Sequence, residues 1–290
     1  MTGALRPAAM GGAILCMAAA VAAVAATAAT SPSASPWVAS HNSKARLVSG
    51  TVDLDGAPTL LAGVQLRMEQ GWKTYWRSPG DSGVPPSFDW SGSKNLKRAE
   101  LLYPAPHRFV DGNGTALGYS EEVVFPVKII PERAGEPVEL TLAFDFGICM
   151  DLCIPNEVSL GLTLQADAAG KHGDALLIES ALARVPKEAA PGLLPRVVSV
   201  ETRLDGANPE LVVEAEFAPG AVDTDLFIEA GDMFMPMPNP LAPLESGKQR
   251  FAVSFKSKSE AEAIKGKPLT LTLVSDLGST QTVWTQGQEP

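Results

Sequence analysis

The sequence predicts an all-β protein: two β-sandwich domains joined by a short helical connector, following an N-terminal signal peptide. Three observations carry this reading. An alanine-rich apolar stretch opens the chain, and short apolar-alternating runs separated by Gly, Pro, Asp and Asn fill most of the remainder. A single interval, 168–190, switches to helical spacing.

Taken in order, Arg6 lies in a short polar opening, residues 13–29 are almost all small and apolar, and Ala26-Thr27-Ala28 offers a small-x-small cleavage site. Residues 1–28 therefore read as a cleaved secretory signal peptide, with a retained anchor as the alternative at the short end of spanning lengths. Cys16 follows Leu15 where lipoprotein processing wants a small residue, so it is discarded with the signal. Residues 29–43, with Ser and Pro alternating, read as a flexible lead-in. The first sandwich, 44–167, rests on strand-length runs at 45–52, 60–69, 97–103, 122–131, 138–146 and 158–166. In the linker, 168–194, Asp174 can cap a helix, Ala175 to Val185 recur at helical spacing, and Pro186 and Pro191 stop it. Runs at 197–204, 210–217, 226–230, 250–256, 269–276 and 281–285 predict a second, smaller sandwich over 195–288. No repeated motif links the halves.

A formal charge of −10 argues against nucleic acid or anionic lipid as partner. No second hydrophobic span follows the signal, so no membrane insertion is expected once it is cleaved, and the partners are proteins or small solutes. His41, His107 and His172 are isolated, and no nucleotide loop or Ser-His-Asp set can be assembled. Hydrolase and zinc-enzyme readings have nothing to stand on, and no cofactor is called for.

Export leaves Cys149 and Cys153 as the remaining cysteines, in a compartment where disulfides persist. Three intervening residues allow their Cα atoms to approach to bridging distance if the chain turns, and Gly147 before and Pro155 after favour a turn. Three uses stay open on spacing alone: thiol–disulfide exchange, a structural staple, or metal binding. A staple closing so short a loop stabilises little, whereas short exposed loops suit exchange-competent disulfides.

Several further motifs carry a resemblance. Gly71-Trp72-Lys73-Thr74-Tyr75-Trp76-Arg77-Ser78-Pro79-Gly80-Asp81, Tyr103-Pro104-Ala105-Pro106-His107, Gly118-Tyr119, and Gly147-Ile148-Cys149 with Cys153-Ile154-Pro155 occur in one order. The stretch 70–164 resembles the N-terminal periplasmic domain of the DsbD and ScsB family of thiol:disulfide interchange proteins, with cysteine spacing closer to the ScsB branch. The resemblance implies an immunoglobulin-like fold, periplasmic localisation and a protein-disulfide reductase activity. It implies electrons arriving from a membrane thiol relay or other periplasmic reductant and leaving to thioredoxin-like periplasmic proteins. It also implies that Cys153 forms the mixed disulfide and Cys149 resolves it. No transmembrane relay and no Cys-x-x-Cys domain follow in this sequence, so the reductant is expected to be another chain. Asp145 and Asp151 flank the pair and would raise the thiol pKa values if close, and the loop itself contains no Lys or Arg.

In the related domain a mobile loop with an aromatic residue shields the cysteines, which assigns 107–115 as the cap loop and Phe109 as the cap, packing in the sandwich being the alternative. His107 reads as a turn residue. Trp72, Tyr75 and Trp76 read together as core and strand-end packing. Met233, Met235 and Met237 would share one face at strand spacing, where soft sulfur suits Cu(I). A copper-binding protein using Cys or Met sulfur is thus an alternative function, and a non-catalytic interaction scaffold another. Against copper, Met fills apolar gaps, and Pro236, Pro238 and Pro240 interrupt a regular strand.

Overall fold

Strand periodicity becomes burial in the computed structural model, which describes residues 1–3, 32–54, 57–81, 83–111, 114–165, 173–242, 244 and 247–288. The signal-peptide reading, Cys16 included, and His172 lie outside the described residues. The first half of the chain contains β1 (Val38–Ser40), β2 (Ser43–Leu54), β3 (Ala57–Met68), β4 (Lys73–Gly80), β5 (Ser87–Asp89) and β6 (Leu96–Leu101). It continues through β7 (His107–Asp111), β8 (Gly114–Ser120), β9 (Glu122–Pro131), β10 (Val138–Cys149) and β11 (Cys153–Leu164). One sheet has the order β1-β2-β3-β9-β6 and the other β11-β10-β4-β8-β7, with β5 also paired to β10. Along β10, Val138, Leu140, Leu142, Phe144, Phe146 and Ile148 are all buried, and the residues between them face outward.

Between these sheets lies an aromatic core. Phe88 stacks on Phe144, Phe144 on Phe146, and Tyr103 and Tyr119 meet Phe125 edge-on. Tyr119 keeps its hydroxyl satisfied by donating to the Pro104 carbonyl at 2.8 Å. Burial holds the Tyr119 phenol well above its usual pKa and pushes that of Tyr103 up to about 12, with Arg77 opposing the latter shift and Glu229 adding to it.

The helical connector is shorter than the interval that predicts it: α1 spans Gly173–Leu182. Ala175, Ile178 and Ala181 recur on one face and are fully buried. Ile178 joins Val48, Val52 and Leu61 on the outer surface of the first sheet, where Gly50 and Gly63 leave room for the helix. Asp174 sits in the first turn, where its carboxylate accepts from Ser33 Oγ and pairs with Arg46 at 3.4 Å. The lead-in is correspondingly ordered from Ser33 onward. Ser35 N–H donates to the Leu47 carbonyl, Ser49 N–H to that of Ser33, and β1 pairs with β2. The Ser33 carbonyl, the Ser35 N–H and the pairing of Val38–Ser40 make this segment an extra edge of the sheet, which Ser–Pro composition alone does not reveal.

The second half contains β12 (Lys187–Glu188), β13 (Arg196–Arg203), β14 (Glu210–Glu216), β15 (Asp225–Glu229), β16 (Asn239–Pro240) and β17 (Lys248–Ser254). α2 (Lys258–Ala263), β18 (Leu269–Ser275) and β19 (Gly278–Trp284) complete it. Its sheets, β12-β19-β18-β15 and β13-β14-β17-β16, enclose a core containing Leu211, Val213, Phe251, Leu271 and Trp284. The short α2 was not legible as a helix, although Ser257 caps it by accepting from Glu260 N–H.

Both faces of β15 are used. Leu226 and Ile228 enter the second core, while Phe227 enters the first, 5.8 Å from Trp76 between ring centroids. Beside Phe227, Arg108 holds Asp225 through two bonds of 2.7 and 2.8 Å, and Arg77 holds Glu229 through two of 2.8 and 2.9 Å. The residues from Ser31 to Pro290 thereby form one compact unit.

Candidate functional site

The hairpin of β10 and β11 runs in unbroken register from Val138↔Leu164 to Cys149↔Cys153, so the cysteines are the last opposed pair before a three-residue tip. They are joined by a disulfide with Cα atoms 4.2 Å apart. Their environments differ. Cys149 is 2% exposed, packed with Tyr75 and Ala116, whereas Cys153 is exposed.

Tyr75 is the residue whose role the sequence concealed. Its Oη lies 2.5 Å from Cys149 Sγ and 3.2 Å from Cys153 Sγ. A disulfide sulfur has no proton, so the phenol donates. Strand β4 places it there: Lys73 is opposite Cys149 and Thr74 opposite Ile148 in the ladder, and Thr74 Oγ1 donates to the Gly147 carbonyl at 2.8 Å. The ring fits because Gly83 and Gly147 carry no side chain. A Cβ at these positions would stand 2.6 and 3.3 Å from ring carbons of Tyr75.

Period-2 alternation separates Tyr75 from its neighbours: Trp72 and Trp76 enter the core as expected, while Tyr75 faces the sulfurs. The three aromatics stand within five consecutive residues, but strand alternation sends them to two faces. Lys73, on the same face as Cys149, supplies a cation that the cysteine loop lacks, and its ammonium lies 5.5 Å from the centre of the Phe109 ring.

Phe109 itself is on β7, which pairs antiparallel with β8 from His107↔Gly118 to Asp111↔Gly114; residues 112–113 lie outside the described ones. The expected cap loop is therefore largely sheet, formed because Arg108 and Val110 alternate with Phe109 in strand fashion and Arg108 is tied to Asp225. Through Lys73 the Phe109 ring reaches the neighbourhood of Cys149. His107 is exposed and is the first residue of β7, not a turn residue.

Asp151 is exposed at the hairpin tip, and Asp145 stands two same-face positions along β10 from Cys149, roughly 13 Å at strand rise. Asp145 therefore does not meet the condition of closeness on which its effect on the thiols depended.

The three methionines do not share a strand face. Residues 234–238 form no strand. Met235 is buried in the second core, Met237 packs against the first, and Met233 Sδ accepts from Lys267 Nζ at 2.9 Å. Pro236 and Pro238 break the alternation that would have aligned the sulfurs.

A cleft of about 730 Å³ opens beside Cys153, with Gly147 and Pro155 as its floor and Tyr75, Val84 and Pro85 among its walls. No helix among the described residues is long and apolar enough to cross a membrane.

Residues 52–165 match the family described as thiol:disulfide interchange protein DsbD, N-terminal. Among solved structures, the chain is similar to the N-terminal periplasmic domain of ScsB from Proteus mirabilis, with a TM-score of 0.68 and 22% identity. That alignment covers 89% of this chain and 99% of the other, and shows a shared fold. No curated protein matches the chain.

Proposed function

We propose, for a chain whose residues 52–165 belong to the DsbD N-terminal family, that Cys149 and Cys153 pass electrons from a thiol donor to oxidised periplasmic proteins. The family supports thiol–disulfide interchange; the direction and the two cysteine roles are our reading. The observation that carries the two cysteine roles is the asymmetry of the pair. Cys153 is open to solvent, while Cys149 is enclosed beneath the Tyr75 hydroxyl.

Thiolate attack on a disulfide is in line and needs access to the attacked sulfur. To reload the oxidised protein, the donor thiolate attacks Cys153 Sγ. The Cys149–Cys153 bond breaks, a donor–Cys153 bond forms, and the electron pair leaves on Cys149. The Tyr75 O–H points at that leaving sulfur and stabilises its charge without having to reorient. A second donor thiol then frees Cys153.

In the onward direction the Cys153 thiolate attacks a substrate disulfide. Cys149 then displaces the substrate thiol and closes the pair. The donor is a membrane thiol relay or other periplasmic reductant, the acceptors are thioredoxin-like proteins, and the chain reaches the periplasm by its cleaved signal peptide.

Trapping tests the assignment. Cys149→Ala expressed in a periplasm accumulates a mixed disulfide through Cys153, visible on non-reducing gels and identified by mass spectrometry. Cys153→Ala does not. Equal trapping by both variants refutes the order, and trapping by neither refutes exchange.

A further inference from the structure

The geometry points to a specificity subsite along the cleft beside Cys153, built to take an apolar side chain and then a cationic one from the segment flanking the partner's reactive cysteine. This rests on the exchange reading above and adds the chemistry of the partner.

Three opposed pairs follow one another on the outer face of the β10–β11 hairpin: Cys149↔Cys153, Gly147↔Pro155 and Asp145↔Glu157. The middle pair has one side chain missing and the other a rigid ring, which leaves an apolar depression bounded by Tyr75, Val84 and Pro85. Val84 is 65% exposed, an apolar wall with nothing packed over it.

The far pair places two carboxylates directly opposite each other, an arrangement that works against the sheet. Neither carboxylate forms an ion pair among the described residues, and both line the cleft. The cleft is thus continuous with the reactive sulfur, apolar in its middle and negative at its end. Its complement is a chain segment with a cysteine, an apolar residue and a Lys or Arg.

Strand rise gives the spacing. The depression lies roughly 7 Å and the carboxylate pair roughly 13 Å from the disulfide. An extended partner presents side chains to one side at the same intervals, so the apolar residue falls two positions from its cysteine and the cation four.

The test uses the oxidised full chain and five-residue peptides with blocked ends: Cys-Gly-Leu-Gly-Lys, its reverse Lys-Gly-Leu-Gly-Cys, Cys-Gly-Leu-Gly-Glu and Cys-Gly-Gly-Gly-Gly, with glutathione as a simple thiol. Each probe thiolate attacks Cys153, releasing Cys149 as a thiolate. Quenching with N-ethylmaleimide caps that thiol, and intact mass reads the adduct.

One of the two Leu–Lys peptides is expected to react about tenfold faster than the all-glycine peptide. Replacing its Lys by Glu, or making the double change Asp145→Asn with Glu157→Gln, removes about two- to fivefold of that preference. Val84→Glu, at an exposed position, lowers the advantage conferred by Leu. Equal rates for all peptides while adducts still form overturn the subsite and leave exchange standing. No adduct with any peptide or with glutathione overturns the exchange reading itself.

Discussion

Replacing Tyr75 by Phe removes a single oxygen from the site. The ring is 3% exposed and is held between Gly83 and Gly147, so Phe keeps its packing, and the loss is confined to the donor 2.5 Å from Cys149 Sγ. Against a neutral disulfide sulfur that bond is weak. As exchange proceeds, Cys149 takes up negative charge in a place 2% exposed, and the bond becomes charge-assisted. Such bonds contribute about 1.5–3 kcal/mol net. With half of the charge developed at the transition state, the barrier rises by about 0.75–1.5 kcal/mol, a slowing of about four- to twelvefold. The rate is read as glutathione adduct formation at Cys153 under excess thiol, with thermal unfolding measured alongside. The variant should melt close to the parent and react slower by that factor. An unchanged rate in a protein of unchanged stability refutes the donor role, and a slow rate accompanied by a large fall in melting temperature assigns Tyr75 to packing instead.

Phe227→Ala should cost about 3–5 kcal/mol in urea unfolding, because it empties a fully buried position against Trp76 in the first core. Gly118→Ala should cost about 3 kcal/mol, the upper end for overpacking, and also slow exchange. A Cβ there would stand 1.8 Å from the Thr74 carbonyl oxygen, so β8 must separate from the strand that carries Tyr75. Stability should fall in alkali: burial raises the folded pKa of Tyr103 to about 12 and holds that of Tyr119 well above its usual value, both above the unfolded value near 10. The unfolded chain then loses its protons first, so this contribution is complete below about pH 10 and is lost as pH rises through 12, with a smaller decline in Tyr119→Phe; a flat urea midpoint across that range would contradict it.

The parts of this design that were legible in the sequence are the local ones. Val138 to Phe146 alternate between neighbours, and Cys149 and Cys153 are four positions apart, so a strand and a bridging pair follow from short windows. Tyr75 is 74 residues from Cys149, and nothing near either residue announces the contact. The pairing of β7 with β8 was hidden for a different reason: the Gly and Asn residues of 112–114 suit a loop in sequence, and what holds β7 as sheet includes Arg108 reaching Asp225, 117 residues away. The apolar run at 226–230 was readable as a strand, but one buried on both sides needs a second core to be known, and only the fold supplies that.

These non-local contacts converge on β4. Within three consecutive residues it carries Tyr75 to the sulfurs, Trp76 to Phe227 and Arg77 to Glu229. The second half of the chain therefore bears directly on the strand that positions the donor. That ties it to the exchange proposed above, although none of its described residues is among those that line the cleft or pack with Cys149.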